Sequence, residues 1–146
     1  MSFFDSFETS TLRLIFNNVG ISNIGDATGI PAAAAVGSLY LALHTADPGD
    51  AGNGTTNEAD FTGYARLAIA RSSGGWTVTG GIVSNTALAQ FANCTGGANT
   101  ITHVSVVATS SGTATPIVSG AVDAPEDVIS GVQLKFDPGV LALALN

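Results

Sequence analysis

The sequence predicts an all-β fold: an antiparallel sandwich or jelly-roll-like barrel, preceded by a short amino-terminal helix and an extended arm. Three observations carry that expectation. From Ser38 onward, apolar residues recur with a period of two in short runs. Clusters of Gly, Pro, Asn and Asp separate these short runs with turns roughly every 8–15 residues, which suggests a sandwich or barrel. Only the segment before residue 20 has a helical period.

In that segment Phe7, Thr11, Leu14 and Ile15 fall at helical spacing, and Leu12 and Phe16 widen the apolar side. Asp5 or Ser6 is the expected cap, and Asn17-Asn18-Val19-Gly20 the expected stop. A helix apolar on more than one side is expected to dock onto the sheet or onto a neighbour. Residues 20–37 have little periodicity but contain Ile21, Ile24, Ile30 and Val36, which suggests an extended arm. The expected organisation is therefore a helix and arm over 1–37 and a β-sandwich over 38–146. Together these make one structural domain without internal repeats.

The first strand alternates Leu39, Leu41 and Leu43 with Tyr40, Ala42 and His44. Asp47-Pro48-Gly49 then opens a polar loop running to about Thr62: Pro presets φ and Gly accepts a positive φ. A second strand follows from Gly63, with Ala65, Leu67 and Ile69 on one face and Tyr64, Arg66 and Ala68 on the other. Further strands are expected around Trp76–Val78, with Gly80-Gly81 as the next turn, and over Thr86–Phe91, Thr100–Thr109, Thr115–Val122 and Val132–Phe136. Pro116 suits a strand start or an edge. Asp137-Pro138-Gly139 turns into a last alternation of Leu141, Leu143 and Leu145.

Charge is scarce. Charged residues are 10% of the 146, against about 25% in an ordinary soluble domain. A solitary protein covers itself largely with Lys, Glu, Arg and Asp, so the shortage points to a surface hidden in an assembly. Arg13, Arg66, Arg71 and Lys135 are the only cations, and the net charge is −7. No clustered basic patch exists to neutralise phosphates, so nucleic acid is not an expected partner. The start is acidic where a signal peptide is basic, and the apolar, uncharged stretch from Ala27 to Ala46 is broken by Gly29, Pro31, Gly37 and His44, so no membrane span is expected. The lone Cys94 forbids an internal disulfide and fits assembly in a reducing cytoplasm.

No constellation of residues indicates catalysis. His44, His103 and Asp47 are accompanied by many serines, but residue types alone do not make a triad. Cys94 and His103 fall short of a zinc set. Asp47, Asp50, Glu58 and Asp60 share one loop without calcium-loop spacing. No catalytic residue, cofactor or metal is expected.

Leu39 to Gly49, Asn57-Glu58 and Gly63-Tyr64-Ala65-Arg66 form a recognisable set. Ser84-Asn85-Thr86-Ala87 with Phe91, Ile101-Thr102-His103 and the closing Phe136-Asp137-Pro138-Gly139-Val140-Leu141 add to it. With these motifs the chain resembles a family of small tailed-phage virion structural proteins, commonly labelled tail-fibre or minor virion proteins. It departs from that pattern in a longer 20–37 arm and in Val107-Ala108 after the Ile101-Thr102-His103 strand. The resemblance implies a non-enzymatic virion component assembled in the host cytoplasm.

The small, repeat-free architecture makes a capsid decoration or cement protein the favoured role. Such a protein would sit on the capsid exterior as a dimer or trimer, bound to the major capsid protein and stabilising the head. Attachment to the tail or tail fibre, with tail proteins as partners, is the alternative. The residues expected to carry structural or interface roles are Phe7, Leu14, Ile15, Asp47, Pro48, Gly49, Glu58, Tyr64, Arg66 and Trp76. Arg66 lies within reach of Glu58 for an ion pair, or of Tyr64 for stacking.

Overall fold

The computed structural model describes residues 3–144. Among them are one helix, α1 (Asp5–Asn17), and nine strands: β1 (Ser38–His44), β2 (Leu67–Ala70), β3 (Trp76–Thr79), β4 (Ile82–Asn85), β5 (Ala89–Gln90), β6 (Ala98–Val107), β7 (Pro116–Ile129), β8 (Lys135–Phe136) and β9 (Ala142–Ala144). The fold is all-β with a short amino-terminal helix, as the periodicities predict. No helix among the described residues is long and apolar enough to cross a membrane. The strands form sheets ordered β2-β1-β6-β7 and β3-β4-β9, and a two-stranded β5-β8 ladder.

Two compact units alternate along the chain. One comprises Met1–Ser38, Ile69–Ala89 and Phe136–Asn146; the other comprises Leu39–Ala68 and Gln90–Lys135.

In the first unit, α1 starts without a side-chain cap. Phe4 takes the N-cap position in extended conformation, and neither Asp5 nor Ser6 bonds the helix end. Asp5 and Glu8 fall inside the first turn, where their charge opposes the positive end of the helix dipole. Asn18 closes the helix with a left-handed φ of 54°, and Val19 N–H reaches back to Arg13 O. The buried helix positions are Leu12 and Phe16, one turn apart, while Phe7, Leu14 and Ile15 are only half-buried. Phe16 meets the ring of Trp76 edge-on at 5.0 Å, and Trp76 is 1% exposed.

β3 and β4 form a hairpin across Gly80-Gly81. Both glycines have positive φ (58° and 76°), the requirement of a type I′ turn. The expected Thr86–Phe91 strand thus begins earlier, as β4, and resumes only as the two residues of β5. The arm over 20–37 is extended only in part. Ile21 and Ile30 pair across a turn in which the Asp26 carboxylate accepts from Thr28 and Gly29 N–H; residues 31–37 then run exposed to β1. Of the last alternation, Leu141 and Leu143 are half-buried, and Leu145 lies outside the described residues.

In the second unit, β1 pairs antiparallel with β6, and β6 with β7. β1 is an interior strand, and its end is buried on both faces: Leu41, Ala42, Leu43 and His44 are each at most 1% exposed. The strand expected from Gly63 begins only at Leu67. Tyr64 and Arg66 precede it pointing inward, and the inward phase then slips to Leu67 and Ile69. β7 runs well past the expected Val122. As the outermost strand it accommodates Pro116 at its start and Pro125 in a bulge, where residues 122–125 stand opposite Thr102 alone.

Candidate functional site

Among the described residues the buried polar side chains are His44, Arg66, Asn85 and Ser105. They organise two hydrogen-bonded hubs, and the hubs are built from the sequence motifs.

The first hub lies in the second unit. The loop after β1 returns beside it: Thr45 N–H donates to Asn57 O, Ala59 N–H donates to Leu43 O, and Glu58 bridges His44. That return places Glu58 against Arg66, which is 7% exposed. Arg66 Nε donates to Glu58 Oε1 at 2.7 Å and Nη2 to Oε2 at 2.9 Å, a two-pronged pair. The same guanidinium donates to Thr109 O (3.1 Å) and Gly112 O (2.7 Å), fastening the loop between β6 and β7. Its bond to Glu58 is the main influence raising the Arg66 pKa, so the side chain is a permanent cation.

Tyr64 does not stack on Arg66. Its hydroxyl donates to Glu58 Oε1 (2.9 Å) and accepts from Leu43 N–H (3.1 Å), while its ring meets Phe61 and Phe91. Burial pushes the phenol pKa well above its usual range, so it remains a donor. Gly54 packs so closely that a Cβ there would lie 2.8 Å from Arg66 Nη2. At the near end of the loop, Asp47 Oδ1 accepts from Gly49 N–H (2.8 Å), Gly49 has a φ of 68°, and Pro48 is buried. Asp47 and Gly49 are exposed; besides the turn, Asp47 O accepts from Asn57 Nδ2 at 3.0 Å across the loop.

His44 sits below this pair, fully buried. Nδ1 is 2.9 Å from Thr56 O and Nε2 is 2.7 Å from Ser105 Oγ. A carbonyl only accepts, so Nδ1 carries the proton and Nε2 accepts from the Ser105 hydroxyl. Desolvation lowers the His44 pKa and outweighs the opposing pull of the Thr56 carbonyl and Glu58. With Ser105 1% exposed, this serine–histidine pair is sealed from solvent.

The pair gives stability a pH dependence. The unfolded chain binds this proton near pH 6.5 and the folded chain only at lower pH, so stability falls as pH drops below about 6.5. It levels off once pH passes the folded value. Unfolding free energies from urea titrations between pH 7.5 and 5.5 are expected to decline by at most about 1.4 kcal/mol per pH unit, and His44→Gln to lose that part of the slope.

The second hub lies in the first unit. Asn85 Nδ2 donates to Ala87 O and Asp137 O, each at 2.9 Å, and Asn85 Oδ1 accepts from Leu141 N–H at 3.0 Å. Its main-chain carbonyl accepts from Gly139 N–H. One buried amide thereby holds the whole Phe136–Leu141 turn against β4. Sequence reasoning placed Asn85 in a motif without a role; the signal was an Asn at the end of an apolar run, facing a turn rich in main-chain groups.

Of the remaining candidates, Phe7 contacts Phe3 at 5.1 Å on the exposed start of α1, and Trp76 is core. His103 bonds Thr102, and Cys94 is buried with its thiol toward Gly96 O. No cluster of three or more metal-binding side chains occurs among the described residues. Both hubs spend their polar groups on one another and on main-chain atoms, so their chemistry is positional: they lock loops to strands.

The model of the family described as Podophage GP4 fiber I protein gp80 matches residues 23–144. The match covers both hubs and begins after α1. A search of curated proteins found no match. The chain therefore belongs to this podophage fibre-protein family and is a virion-associated structural protein of a tailed phage.

Proposed function

We propose that this chain is a non-enzymatic structural subunit of the phage tail fibre, covered in the virion by copies of itself and by other tail proteins. The observation that carries this reading is the family match over residues 23–144, whose description names a fibre. The surface supports it. Phe3, Phe4, Ile82, Leu88, Ile129 and Val140 are each more than two-fifths exposed, on a chain with little charge, as expected of surface that a neighbour covers. Partners are proteins, in a dimer or trimer and with adjoining tail components, and neither nucleic acid nor membrane is engaged. Capsid decoration, the role favoured by the small, repeat-free, low-charge chain with its apolar helix and arm, gives way here because the family description points to a fibre. Immunogold labelling of intact phage is expected to decorate the tail. Label spread evenly over the head would overturn the fibre placement in favour of cement.

A further inference from the structure

The first unit contains a groove of about 500 Å³, within the usual size of ligand pockets. Its lining includes Arg13, Val19, Val36, Arg71, Trp76 and Val78, and no carboxylate. Two of the four cations of a chain with net charge −7 thus face one cavity.

Their charges are not equally committed. Arg71 donates to Ile15 O (2.7 Å) and Leu14 O (2.8 Å) and so satisfies the end of α1. Arg13 is exposed and makes no ion pair among the described residues. The buried Trp76 Nε1–H, also in the lining residues, has no acceptor there. Val19 and Val36 add exposed apolar surface, at 49% and 47%. The groove therefore asks for an acidic group next to small apolar ones.

The chain carries such a segment. At the β7 bulge, Asp123, Ala124 and Pro125 and the Glu126 that follows it are each exposed on the outermost strand of the sheet. The bulge lifts Asp123, Ala124 and Pro125 off the ladder, which resumes at Glu126 opposite Ile101, and Pro125 and the carboxylates keep the segment from pairing as a plain edge strand. We propose that the Arg13 groove of one copy receives the Asp123–Glu126 bulge of a second copy: Arg13 meets the carboxylates, and Ala124 and Pro125 lie on Val19 and Val36. The two surfaces differ, so the contact is heterologous and repeats from copy to copy into a ring or a filament. This inference rests on the self-assembling fibre reading and names the surfaces that would carry it.

Sedimentation velocity of the full chain at about 0.05 M and about 0.5 M salt tests it, because screening weakens an exposed charged contact. Association is expected at low salt and is expected to weaken at high salt. Arg13→Glu alone, or Asp123→Arg with Glu126→Arg, is expected to raise the dissociation constant for self-association by about tenfold or more. An equimolar mixture of the two variants is expected to associate again. If Arg13→Glu fails to fold, the exposed β7 variant reads the same contact from the other side. Variants that assemble like wild type, or a mixture that stays dissociated, would overturn the groove contact and leave the fibre reading intact. A wild-type chain monomeric at low salt would overturn the self-association beneath it.

Discussion

Glu58→Gln is expected to destabilise the fold by about 3 kcal/mol, because it leaves the Arg66 guanidinium buried without its counter-charge. The bidentate pair at 2.7 and 2.9 Å is not a large net source of stability, since taking two ions out of water offsets most of their attraction. Breaking it is another matter. Arg66 remains fixed by Thr109 O and Gly112 O and cannot swing out to water without freeing those carbonyls. Tyr64 loses its charged acceptor in the same step. Arg66→Lys is expected to fall short of wild type as well, since an ammonium cannot reproduce the planar fork. Urea denaturation of each variant checks both; a loss under about 1 kcal/mol for Glu58→Gln would show that the hub is an exposed pair in practice.

Trp76→Ala is expected to cost about 3–5 kcal/mol, the range for removing a large aromatic from a core. The indole is 1% exposed and meets Phe16 edge-on, so the cavity would open between α1 and β3. Trp76→Phe is expected to recover most of this loss, because the indole N–H has no acceptor to lose among the described residues. Thermal melts would separate the two variants. Equal loss in both would mean that the N–H, and not the ring volume, holds the site.

What was legible in the sequence was whatever one face of a strand or a local turn decides. Leu39, Leu41 and Leu43 announced β1, Gly80-Gly81 announced a turn, and Asp47-Pro48-Gly49 announced the loop start. The rest depended on partners far along the chain. His44 is buried because the loop after β1 returns beside it and Thr56 O bonds its ring, which the alternation of a single strand does not encode. The strand was expected over Thr86–Phe91, after Ser84 and Asn85, yet β4 ends at Asn85, which is buried through bonds to Asp137 and Leu141. The sequence left Arg66 either pairing with Glu58 or stacking on Tyr64, and the return of the loop beside β1 decides for Glu58. Thr109 and Gly112, which complete the guanidinium's set, lie more than forty residues away. α1 was read by period, but its buried side proved to be Leu12 and Phe16, chosen by the strand packed beneath it.

The central claim, a structural subunit of the tail fibre, is tested most directly by its copy number in purified virions, measured by quantitative mass spectrometry against the major capsid protein. A few copies per particle, at a ratio set by the rotational symmetry of the tail and retained in isolated tails, is the expected result. A copy number comparable to that of the major capsid protein, or loss of the chain from isolated tails, would contradict it.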